Sequence, residues 1–246
     1  MATRTNPMLE EAQRALRSPG VQQISEDLSV ADVLVRTVAL LALVVVGAGI
    51  GWVFIPYNLL TIILLSVAAI GLAVTAARKM TTSPGLPVAF SLVEGLLVGS
   101  FSGYLANLYG GEIVYTAVAA TAAVFVTCLA VFFIPAVRNS GQGRKIFTVM
   151  IIGYIVLSLA SFGLAVFTGL GGGWGFFGLG TFGILLSIGA VALSAWSLVI
   201  NFGSVDEALR QGAPREFAWL LSMGLVVSIV WVYLEILRLL AILQRN

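Results

Sequence analysis

The chain has 246 residues, 59% hydrophobic and 10% charged, with a formal net charge of only +2. No soluble domain of this size needs so much apolar surface, and so small a net charge leaves no electrostatic footprint for nucleic acid. With no histidine and a single cysteine, Cys128, the chain has no imidazole base, no Cys/His metal site and no disulfide framework.

Residues 1–31 read as a polar, cytoplasmic N-terminal tail in which Pro7 and the Ser18-Pro-Gly20 turn bracket a short helix from Met8 to Arg17. Its mixed charge does not fit a cleavable signal peptide, so the first span is expected to act as its own uncleaved signal. Residues 32–246 read as one membrane domain of seven apolar spans. They fall at about 33–55, 58–77, 88–108, 113–134, 146–168, 176–202 and 217–243, each near the ~20 residues that cross a hydrocarbon core. Pro19, Pro56, Pro84, Pro87, Pro135 and Pro214 all lie outside the span interiors, as expected of a residue that breaks helices. The longest connection, 203–216, is amphiphilic.

Eleven basic residues fall on one face of a seven-span arrangement: Arg4, Arg14, Arg17, Arg36, Arg78, Lys79, Arg138, Arg144, Lys145, Arg210 and Arg215. The connections on the other face carry none, and Arg245 is in the opposite tail. The excess of positive charge in cytoplasmic loops then predicts a cytoplasmic N-terminus and an outside C-terminus. Trp52, Tyr57, Tyr104, Tyr109, Tyr115 and Trp174 gather at the outer span ends as an interfacial belt.

Few polar side chains enter the spans, and those few are the candidates. In the third span Gly95, Gly99 and Gly103 recur every four residues, a smooth face for close helix packing. Glu94 beside them is an intramembrane carboxylate, either a functional group or a protonated acid bonded to a neighbouring helix. In the last span, Trp231-Val-Tyr-Leu-Glu-Ile-Leu-Arg-Leu-Leu240 places Glu235 and Arg238 three positions apart in an apolar run. A charge at such a depth costs about 2.5–3.5 kcal/mol. Glu235 and Arg238 either satisfy one another as a structural pair or line a polar path. Arg36 reads as a snorkelling anchor, Asp206 and Glu207 as loop residues, and Asn201 as a polar group at the inner end of span six.

Catalytic templates fail. Ser100-Phe-Ser-Gly103 fits no nucleophile elbow, and Gly171-Gly-Gly-Trp-Gly175 lacks the Lys-Ser/Thr of a phosphate loop. The chain is not expected to be an enzyme, nor to hold a resident metal or cofactor.

In the order of its features the chain resembles the Bax inhibitor-1 family of seven-helix membrane proteins, in its bacterial branch. The resemblance rests on Asn6-Pro7, Asp32-Val-Leu-Val-Arg-Thr37, Glu94-Gly-Leu-Leu-Val-Gly99 and, above all, Trp231–Leu240. It implies an all-α fold with a central seventh helix surrounded by two three-helix layers. It also implies a pH-modulated leak of Ca²⁺ across a bacterial plasma membrane, controlled by acids on the sixth and seventh helices. Glu235 matches the seventh-helix acid; Asn201 stands where the sixth-helix acid is expected, which weakens a two-carboxylate switch. The expected ion path is therefore Glu235, with transient attraction of Ca²⁺, Asn201 as its hydrogen-bond partner, Glu94 as a second polar group and Arg238 as modulator. The rival reading is a non-conducting regulator that binds other membrane proteins, such as a membrane protease.

Overall fold

The computed structural model describes residues 27–80, 83–134 and 141–245. The short helix expected at Met8–Arg17, the Asn6-Pro7 pair and Pro135 lie outside the described residues. Seven long apolar helices are present among those described. They are α1 (Val30–Phe54), α2 (Leu59–Arg78), α3 (Gly85–Tyr109), α4 (Glu112–Phe132), α5 (Gly141–Thr168), α6 (Gly180–Arg210) and α7 (Ala218–Arg245). Successive helices run in opposite directions, so α1 begins on one face of the bundle, here the entry face, and α7 ends on the other, the exit face.

Local chemistry sets several boundaries. Ser29 and Asp32 form a reciprocal capping box at the start of α1, and the Asn58 side chain caps α2 through the Thr61 amide at 2.9 Å. Pro87 sits in the first turn of α3, where a missing N–H costs no helical hydrogen bond. The expected bounds shift most at α6, which runs eight residues beyond Phe202 to Arg210. Asp206 and Glu207 are therefore helical rather than in a loop, and Asp206 pairs with Arg210 at 3.1 Å, one turn on.

The helices are arranged about α7. It is the most buried of the seven, while α2 and α5 present most of their surface outward. One apolar core, with Leu40, Val44, Phe90 and Val226, joins α7 to α1, α2 and α3. A second, with Ala117, Leu198, Leu225 and Ile236, joins it to α4 and α6. α5 lies outside both cores and meets α6, so the two layers expected around a central seventh helix are α1–α3 and α4–α6.

The tightest seam is α1 on α3, and the glycines are the reason. A Cβ on Gly47 would lie 2.7 Å from the Leu92 carbonyl oxygen, and one on Gly99 would lie 2.6 Å from the Ala48 Cα. At such an approach only glycine fits, so the spacing in α3 is a packing device matched by glycines on α1.

At the entry face, Arg215 binds Asp32 at 2.7 Å and Leu28 N–H donates to the Ala213 carbonyl, tying α1 to the start of α7. Arg36 donates to the Arg215 carbonyl and lies over the Trp219 ring at 5.0 Å. It clasps α1 to the start of α7.

At the exit face, the Gly-rich connection folds into two short 3₁₀ turns, Leu170–Gly173 and Gly175–Gly178. Gly175 has φ +61° and lies so close to the Ser161 backbone that a side chain has no room. The Ser161 hydroxyl binds both sides of that glycine, donating to the Trp174 carbonyl at 3.2 Å and accepting from Phe176 N–H at 3.0 Å. Arg245, at the end of α7, donates to the carbonyls of Gly171 and Gly178. The turn pair is thereby pinned across the end of the central helix.

Candidate functional site

On α7 the positions of Trp231, Glu235 and Arg238 differ by four and three, which places all three side chains on one helical face. Glu235 is only 3% exposed. Its Oε1 accepts from the Trp231 indole N–H at 3.0 Å and from the Tyr154 hydroxyl of α5. Its Oε2 accepts from Arg238 Nη2 in an ion pair. The Arg238 guanidinium lies over the Phe177 ring, 3.7 Å from its centre, so the exit-face turns reach into the site. A buried carboxylate is tolerated when it is paired and its remaining lone pairs are bonded, and each condition is met here.

These residues wall a cavity of about 640 Å³ between α2, α3, α5, α7 and the 3₁₀ turns. Its rim is aromatic: the Tyr57 ring stacks on Tyr104 at 5.0 Å and meets Phe101 at 5.1 Å, and Trp174 meets Phe101 edge-on at 6.4 Å. Burial pushes the Tyr57 phenol, in the α1–α2 connection, up to about 12. It is therefore a neutral hydrogen-bonding group at the rim.

The structure separates the residues expected to act together. Glu235 and Arg238 are in contact. Asn201 is not the partner of Glu235: its amide donates to Ser228 Oγ at 2.6 Å and to the Gly224 carbonyl at 3.2 Å. The Ser197 hydroxyl also reaches Ser228, at 2.8 Å, which completes a local α6–α7 polar seam. Ser228 lies seven positions before Glu235, about 10 Å along the helix at ~1.5 Å per residue. The long α6 and short connection hold Asn201 opposite the first half of α7, and pairing with Glu235 would need the helices to slide by about two turns.

Glu94 stands apart as well. The Ser102 and Tyr233 hydroxyls are 2.7 Å from one another and fix the levels of α3 and α7. Glu94 lies eight residues before Ser102 and Glu235 two after Tyr233. The two carboxylates are therefore about 15 Å apart in depth. The cavity reaches Leu97, one turn past Glu94 on the same stripe of α3, and stops there. Glu94 itself makes no hydrogen bond or ion pair with any described residue.

Two partners of Glu235 were not among the expected site residues. Trp231 could have been found from its four-residue spacing. Tyr154 could not, because it is 81 positions away on another helix.

A polytopic bundle with a bonded acid–base pair inside its central helix defines a class: seven-helix integral membrane proteins. The chain belongs to the Bax inhibitor 1 like family, whose model matches residues 6–245, nearly its whole length. No curated protein matches it.

Proposed function

We propose that this protein is a pH-modulated leak channel for cations, Ca²⁺ among them, in a bacterial plasma membrane, without enzymatic activity. In this reading the entry face is cytoplasmic, the exit face is outside, and the structure is the closed state. The observation that carries it is the Glu235 carboxylate, almost fully buried yet facing a 640 Å³ cavity and held by Tyr154, Trp231 and Arg238. Replacing a buried ion pair by well-packed apolar residues is often neutral or stabilising, so a pair at this depth suits a switch better than a brace.

The switch has one carboxylate and one fixed cation. Tyr154 and Arg238 are the titratable groups bonded to Glu235. Loss of the Glu235 charge would release Arg238 and loosen the α5–α7 closure. With Asn201 engaged elsewhere, this is a weaker device than two carboxylates sharing a proton. Glu94, one turn below the cavity floor, is the next polar group on a path towards the entry face.

Ca²⁺ uptake into proteoliposomes between about pH 8 and about pH 5 tests the proposal. Protein-dependent flux that changes across that window is expected. No flux at any pH in that window removes the channel reading.

One observation favours the second reading, a non-conducting regulator that binds other membrane proteins. The cavity ends at Leu97 and leaves the two acids in separate surroundings. Absence of flux combined with stable capture of a membrane protease would select it.

A further inference from the structure

On the side of the α3–α7 seam opposite the Glu235 cavity lies a second hollow, about 740 Å³, between α1 and α4. These helices make no extended contact with each other. The floor of the hollow is α3 and α7, at Val98, Gly99, Val230 and Tyr233, and its walls include Val45 and Gly49 of α1 and Ala122 and Val126 of α4.

We infer that this groove binds one acyl chain of a phospholipid from the leaflet on the exit face. Three observations identify the occupant. First, the walls are apolar, and their hydroxyls are engaged within the protein: Thr121 donates to the Ala117 carbonyl at 2.7 Å, and Ser102 and Tyr233 bind one another at 2.7 Å. The groove therefore recognises hydrocarbon rather than a headgroup or a solvated ion. Second, its wall on α1 runs from Leu41 to Val53, about 18 Å of helix, against about 15 Å for the acyl layer of one leaflet. Third, Trp52 and Val53 end the wall at the exit-face end of α1, where Trp52 is 45% exposed. An indole at that level marks the membrane–water interface, where the glycerol end of the lipid would sit.

The groove is open enough to be closed by substitution. A Cβ at Gly49 meets nothing within 4 Å, in contrast to Gly47 and Gly51 on either side, which press on α3. Gly49→Phe therefore fills the hollow without disturbing the α1–α3 seam. Gly71 on α2 is equally open but lies outside the groove, so Gly71→Phe is the matched control.

The full-length protein is reconstituted in phosphatidylcholine vesicles containing a phosphatidylcholine with a diazirine in its acyl chain. After illumination, the labelled peptides are mapped by mass spectrometry. The expected result is labelling of Tyr233 and Ile229, groove-floor residues on the central helix. That labelling is lost in Gly49→Phe and in Ala122→Phe, which closes the groove from α4, and is kept in Gly71→Phe. Label confined to outward-facing residues of the wild type overturns the inference. So does α7 labelling that survives both fillers. A second copy of the chain in the groove would appear as a cross-linkable dimer with Tyr233 unlabelled, and would equally overturn it. The wild-type result stands even if a filler variant fails to fold, and none of these readouts depends on ion flux.

Discussion

Asn201 hydrogen-bonds Ser228, its Nδ2 2.6 Å from the Ser228 Oγ, and so is held about 10 Å short of Glu235 along α7. The polar position on α6 and the acid on α7 thus belong to two separate arrangements. The first is a local seam between helices; the second is an ion pair facing a cavity.

Separation makes the two sites energetically independent. Asn201→Ala removes two hydrogen bonds and should cost about 1–3 kcal/mol of stability. Combined with Glu235→Gln, its effect should add to within about 0.5 kcal/mol, as expected for sites with no shared partner. Thermal melts of the single and double variants in detergent check this. Coupling well above that value would mean that the helices slide to bring the two side chains together.

Arg238 is the counter-charge of Glu235, and removing it strands a buried carboxylate. Arg238→Leu should destabilise the protein by about 3–5 kcal/mol, whereas Arg238→Leu with Glu235→Leu should recover most of the loss. The same melts test this. A single variant as stable as the double would show that Tyr154 and Trp231 satisfy Glu235 without Arg238.

The glycine seam predicts sharply position-dependent alanine effects. Gly99→Ala would press a methyl group against the Ala48 backbone and should destabilise by several kcal/mol, while Gly49→Ala and Gly71→Ala meet open space and should be close to neutral. Equal melting temperatures for Gly99→Ala and Gly71→Ala would contradict the packing described for α1 and α3.

At the exit face, Arg245→Gln removes the charged donor that pins the 3₁₀ turns to the end of α7. Amide exchange over residues 169–179 should rise several-fold, with α7 itself unchanged. Unchanged exchange in those turns would mean that Ser161 alone holds them.

Much of this fold is legible in the sequence, and the exceptions have physical reasons. Apolar run length and proline placement locate the seven helices, because a bilayer leaves little choice of length and proline few places to sit. Hydropathy ends α6 at Phe202, yet the helix continues through Ser204–Arg210, where an i,i+4 Asp206–Arg210 pair and good helix formers carry it beyond the apolar run. The Glu235–Arg238 pair is readable because both residues are on one helix. The Tyr154 hydroxyl, the Phe177 ring and the diversion of Asn201 to Ser228 are not, since each depends on how separate helices align in depth. Sequence spacing says nothing of that register.

The central claim is that Glu235 is a charge-dependent latch on a cation path. Ca²⁺ flux into proteoliposomes should be compared for wild type and Glu235→Gln between about pH 8 and about pH 5. Glutamine keeps the shape of the protonated acid and removes its charge, so the variant should leak at the higher pH and lose most of its pH dependence. Flux in the variant with the wild-type pH profile would contradict the assignment of Glu235 as the sensor.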